Sequence, residues 1–89
     1  MARYLQLEVT TPNFSLNREK IDSISFFTSK GSVGILPSHI PFMAELKSGP
    51  VKYFVNNKEK NIICSAGFVR VESDKIIIVC DLADEKSGG

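Results

Sequence analysis

Eighty-nine residues with 43% hydrophobic content and a formal net charge of +1 make one domain with a modest core. That charge argues against electrostatic capture of nucleic acid or acidic lipid. No apolar run is long enough to cross a bilayer as a helix, and Met1-Ala2-Arg3-Tyr4 does not lead into the apolar stretch of a signal peptide.

Tyr4 to Thr10 alternates, with Leu5, Leu7 and Val9 on one side, and predicts a half-buried strand closed by the turn Thr11-Pro12-Asn13. Phe14 to Asn17 reads as a short edge strand. Strict alternation fails in Ile21-Asp22-Ser23-Ile24-Ser25-Phe26-Phe27-Thr28, because Ile21 and Ile24 have opposite parity; a β-bulge between them restores the inward face. A helix with Ile21, Ile24 and Phe27 at spacing three is the competitor. It is rejected because Ser, Phe and Thr are poor helix formers and no cap is visible.

The segment Gly31-Ser32-Val33-Gly34-Ile35-Leu36-Pro37-Ser38-His39-Ile40-Pro41 follows. Gly31 and Gly34 read as a tight turn or bulge. Val33, Ile35 and Leu36 are expected to pack inward. Pro37 and Pro41 lack an N–H and end ladder pairing, so they bracket a rigid exposed loop. Phe42 to Leu46 is a strand with Phe42, Ala44 and Leu46 on one face. Lys47-Ser48-Gly49-Pro50 turns into the alternating Val51 to Val55, and Asn56-Asn57-Lys58 supplies hairpin chemistry. Asn61 to Ser65 returns, with Ile62 and Cys64 on one face. Phe68 to Glu72 sets Val69 and Val71 against Phe68, Arg70 and Glu72. The unbroken run Ile76 to Cys80 predicts a strand buried on both faces, and the polar residues from Asp81 onward are expected to fray. Short strands at regular spacing indicate an all-β sandwich or barrel.

Three stretches resemble one family at its own order and spacing. Gly31-x-x-Gly34-Ile35-Leu36-Pro37-x-His39-x-Pro41 is similar to the signature loop of the epsilon subunit of F-type (rotary) ATP synthases. Ser65-Ala66-Gly67-Phe68-Val69-Arg70-Val71 and Val79-Cys80-Asp81-Leu82-Ala83-Asp84 resemble two further family motifs. The resemblance implies a two-sheet β-sandwich of about ten short strands over residues 1–84, with 85–89 as a flexible tail. It also implies a non-catalytic rotor subunit that couples the gamma subunit to the membrane c-ring of a proton-translocating synthase. Such a subunit sits on the cytoplasmic side of the membrane, or the equivalent side of an organelle membrane, and touches the membrane only through the complex.

By motif, Lys30, Gly31, Ser32 and Val33 would face the c-ring. His39, Ile40, Met43, Ala44 and Leu46 would lie on the gamma face, and Gly34, Pro37 and Pro41 would shape the loop. Ser32 stands where the family commonly has Glu, which would weaken a charge pairing there. Family members usually continue into a two-helix C-terminal domain that can bind ATP. These 89 residues hold no counterpart, so no nucleotide and no other cofactor is expected on them.

Read from the residues alone, little here carries chemistry. His39 is the only histidine and has no triad around it; bonding to nearby backbone is the favoured reading. Gly31-x-x-Gly34 lacks the Lys-Ser/Thr ending of a phosphate loop. Cys64 and Cys80, without C-x-x-C spacing or a second histidine, give no metal site and read as buried free thiols in a reducing compartment. Ile40 and Met43 are the candidates for an exposed apolar patch, whereas Val33, Ile35 and Phe42 are expected in the core. The alternative function is a small β-barrel nucleic-acid-binding module, which wants a basic groove with exposed aromatics.

Overall fold

Alternating apolar side chains on a pleated backbone put one face of each strand inward. A computed structural model describes residues 4–37 and 40–86. Among these the chain forms ten strands and no helix: β1 (Leu5–Thr10), β2 (Ser15–Ile21), β3 (Ser23–Thr28), β4 (Gly31–Ile35), β5 (Phe42–Leu46), β6 (Gly49–Val55), β7 (Lys58–Cys64), β8 (Gly67–Val71), β9 (Lys75–Cys80) and β10 (Ala83–Lys86). The expected all-β, single-domain sandwich is what the chain adopts.

One layer runs β10-β7-β6-β3, with β4 also paired to β3; the other runs β5-β8-β9-β1-β2. A single pair, Thr28 with Leu46, joins them, so one continuous sheet curls over on itself. Every pairing is antiparallel except β1 with β9. At the open side the layers meet through Arg18 of β2 and Glu85 of β10, 2.7 Å apart. Glu85 Oε2 also accepts a hydrogen bond from the Tyr53 hydroxyl at 3.5 Å.

The inward faces of β1, β3, β6, β7, β8 and β9 form one core around Leu7, Phe26, Tyr53, Ile62, Val69 and Ile78. Thr28 is the buried polar residue of the described chain. Its hydroxyl donates to Gly31 O and accepts from Lys30 N, both at 3.1 Å, which closes the Ser29-Lys30 turn of the β3–β4 hairpin. Gly31, at φ 115°, takes a conformation that side-chain-bearing residues avoid. Asn56 and Asn57, at φ 52° and 66°, make the β6–β7 hairpin in the conformation expected of them.

Five local expectations are corrected. Ile21 and Ile24 do not share a bulged strand: Asp22 separates β2 from β3, with its amide bonded to Phe54 O at 2.8 Å and its carboxylate accepting from Asn57 N at 3.1 Å. The irregularity lies instead between β1 and β2, where Leu5 opposes Ile21 but Leu7 opposes Arg18. Gly34 is an ordinary strand residue, and Leu36, one step past β4, is 66% exposed rather than inward. β9 is covered on one face only, because no third layer packs over Val79, which is 52% exposed. Residues 83–86 do not fray: β10 pairs antiparallel with β7 from Ala83–Cys64 to Lys86–Asn61, so Glu85 belongs to the sandwich and not to a tail.

Candidate docking face

Register decides which side chains share the outward face of the β5-β8-β9 layer. Phe68 lies between Glu45 and Val79, and Arg70 lies between Met43 and Ile77. Inward neighbours Val69 and Ile78 are fully buried, so these residues point out. Met43 is 69% and Phe68 61% exposed. With Val79 they form an apolar centre. Around it stand polar groups: Arg70 Nε is 3.3 Å from Glu72 Oε2, and Lys75 Nζ is 3.8 Å from Glu8 Oε1. An apolar centre inside a charged rim is the anatomy of a protein interface, and an exposed apolar patch on a small domain marks one.

Beside this centre an open groove of about 520 Å³ runs along Thr10, Pro12, Gly67, Phe68, Val79 and Cys80. Gly67 makes it possible for β8 to lie this close to β9. A Cβ on Gly67 would sit 2.1 Å from the Val79 carbonyl oxygen and 2.9 Å from Cys80 Cα, and backbone at that range has nowhere to go.

The residues expected to touch a partner fall into three groups. Ile40, 79% exposed, and Met43 are at the surface as expected. Lys30 and Val33 of the β3–β4 hairpin line one groove with Phe42, Met43, Ala44 and Glu45, so the two sets of expected contact residues adjoin. Gly31 and Ser32 are exposed and Val33 half-buried. Ile35 is in the core, as expected, and Phe42 packs against it. Leu46 is a correction: at 1% exposure it is core, because it pairs with Thr28 where the two layers join, and it has no surface to offer. Ala44 is half-buried against the core. Pro41 is exposed and Pro37 half-buried; His39 lies outside the described residues.

Phe68, Val79 and Leu82, the last 70% exposed, were not singled out from the sequence. The signal was there for Phe68, an aromatic on the polar side of an alternating strand, in the same set as Arg70 and Glu72. Opposite, on the outward face of the first layer, Phe27 is 47% and Ile63 38% exposed, with Ile63 beside Pro50. Among the described residues no group of three or more His, Cys, Asp or Glu could hold a metal ion.

Comparison with known proteins bears on what such a sandwich is. The sequence profile described as "ATP synthase, Delta/Epsilon chain, beta-sandwich domain" matches residues 4–86. The chain belongs to this family. Among curated relatives, the ATP synthase epsilon chain of Nitratidesulfovibrio vulgaris is 33% identical over 84 residues, covering 94% of this chain and 63% of that protein. The epsilon chain of Staphylococcus aureus is 37% identical over 81 residues, covering 90% of this chain and 60% of that one. This chain thus spans less than two thirds of the length of these relatives. In fold it is similar to a chain of the Euglena gracilis mitochondrial ATP synthase OSCP/F1/c-ring structure, with TM-score 0.88 and 22% identity over 96% of this chain and 55% of that one. It also resembles a chain of the Tetrahymena thermophila mitochondrial ATP synthase central stalk/c-ring, with TM-score 0.75 and 20% identity over 90% of this chain and 65% of that one.

Proposed function

We propose that this domain is a non-catalytic rotor component of an F-type ATP synthase that joins the gamma subunit to the c-ring. The observation that carries the reading is the exposed pair Phe68 and Val79, opposite one another on β8 and β9, with exposed Met43 diagonal to Phe68 on β5 and charged groups beside them, in a family of ATP synthase delta/epsilon-chain sandwiches. Gamma docks on this face, with Ile40 and Met43 as anchors. The β3–β4 hairpin tip, Lys30 to Val33, meets the c-ring loops. Gly34, Pro37 and Pro41 shape the segment between. The contribution is mechanical: a curled sheet with every strand paired gives a stiff joint for torque. The complex sits at the membrane, with this domain on the cytoplasmic side or its organelle equivalent and reaching the bilayer only through its partners.

The test is single substitution of Ile40, Met43 and Phe68 by Asp, followed by gamma binding and ATP-driven proton pumping in membrane vesicles. An unpaired carboxylate buried in an interface is costly, and an anchor contributes about 2 kcal/mol or more. At least one variant should therefore bind gamma tenfold or more weakly while staying folded. Three folded variants with unchanged binding and pumping would remove this face from the mechanism.

A further inference from the structure

β3 holds its neighbours unevenly. One edge pairs with β4 from Ile24–Ile35 to Thr28–Gly31. The other edge is divided: β6 takes Ser23, Ile24 and Ser25, and β5 meets Thr28 alone. The outer half of the β3–β4 hairpin therefore hangs on β5. Two backbone bonds make that join. Lys47 N donates to Phe27 O at 2.9 Å, and Ser29 N donates to Glu45 O at 3.3 Å. They flank the Thr28–Leu46 pair, which is thus the close-approach kind of antiparallel pair. Both of its side chains are buried. From this seam the Thr28 hydroxyl reaches outward to Lys30 N and Gly31 O. One buried side chain thus ties the exposed tip to the place where the two layers join. β5 itself is held firmly from its other side, through five pairs with β8.

We propose that Thr28 is the positioning residue of the joint, a role that rests on the rotor reading above: its hydroxyl fixes the c-ring hairpin against β5, the strand that carries the gamma anchor Met43. Torque then passes between the two docking surfaces through the Thr28–Leu46 seam instead of being lost in a pliant turn. Thr28 and Gly31 also oppose each other as strand partners, so the hairpin still closes without the hydroxyl. What the hydroxyl adds is stiffness at Ser29 and Lys30. A loose tip must be ordered each time it docks, and that ordering is subtracted from its affinity. Gly31 serves the same turn from outside the core. Its φ of 115° disfavours any side chain, yet a Cβ there would meet nothing within 4 Å. A methyl at Gly31 therefore loosens the tip through the backbone alone.

The experiment places Thr28→Val, Thr28→Ser and Gly31→Ala in the full chain. It reads amide exchange at Ser29, Lys30 and Gly31, gamma affinity, binding of the gamma complex to c-ring membranes, and ATP-driven proton pumping. In Thr28→Val, exchange at the three amides should quicken, because the tip opens without unfolding the sandwich. Binding to c-ring membranes should weaken roughly tenfold, the measure of two lost hydrogen bonds. Pumping should fall with it, while gamma affinity stays unchanged. Thr28→Ser keeps the hydroxyl and should keep pumping. Gly31→Ala should reproduce the valine result, and it carries the test if the valine variant does not fold. Unchanged exchange and pumping in the valine and alanine variants, equal losses in valine and serine, or gamma affinity falling in step with pumping would each overturn the role of Thr28. An unaltered chain that binds no gamma would remove the rotor reading, and this role with it, at the first measurement.

Discussion

At the scale of single residues, Gly67 and Cys64 show how one atom decides a site. Gly67 is required because the Val79 carbonyl occupies the place of a Cβ. Gly67→Ala must push β8 from β9, and overpacking of that kind costs about 1–3 kcal/mol. Urea denaturation should show that loss, and a variant of unchanged midpoint would mean the strands separate freely there. Burial, with the Cys80 thiol beside it, pushes the Cys64 thiol from its ordinary 9.0 up to about 12. The folded state thus holds a proton that the unfolded chain releases. This contribution is complete below pH 9 and is lost as pH rises from 9 toward 12. Burial likewise raises the Tyr53 phenol, with the same sign. Thermal midpoints should fall over this range, and Cys64→Ala, though less stable at neutral pH, should fall less steeply; parallel curves would remove Cys64 as a cause.

At the scale of elements, β10 is the weakest piece of ladder. It has four residues and one hydrogen-bonded neighbour, β7. Its tie to the opposite layer is the Arg18–Glu85 pair, whose side chains are 41% and 40% exposed. Solvent at both groups limits such a pair to about 0.2–1 kcal/mol of global stability. Glu85→Gln should therefore leave the denaturation midpoint nearly unchanged. It should speed amide exchange in Ala83–Lys86, because local opening of an edge strand does not require unfolding of the rest. Equal protection in both proteins would show that β10 is held by its ladder to β7 alone.

At the scale of the whole molecule, the sheet closes through partners far apart in sequence. β1 lies parallel to β9, and β2 meets β10 only across the open side. Loops of this length must be closed before the contacts that reward them form. Refolding should accordingly fall in the millisecond-to-second range of non-local β folds; a microsecond phase carrying the full amplitude would contradict this. The same closure leaves apolar groups on both outward faces, around Phe68 on one layer and Phe27 on the other. That is two candidate contact surfaces on one small domain.

Period-two alternation was enough to read β1, β6 and β8 with their inward faces, since side-chain direction in a strand is a local property. Asn56-Asn57 announced its hairpin for the same local reason. The three stretches around Gly31, Ser65 and Val79 already resembled the family whose profile matches residues 4–86. What alternation cannot say is whether a second layer covers a given face. Val79 and Leu46 show the two errors that result: an apolar run taken as buried on both sides, and an inward core residue taken for a contact. Ile21 and Ile24 were divided by Asp22 through bonds to β6 and the β6–β7 turn, and β10 exists because β7 offers it an edge. The meeting of Thr28 with Leu46 where the two layers join likewise belongs to the tertiary fold, because pairing partners and layer closure are set by contacts that no local pattern records.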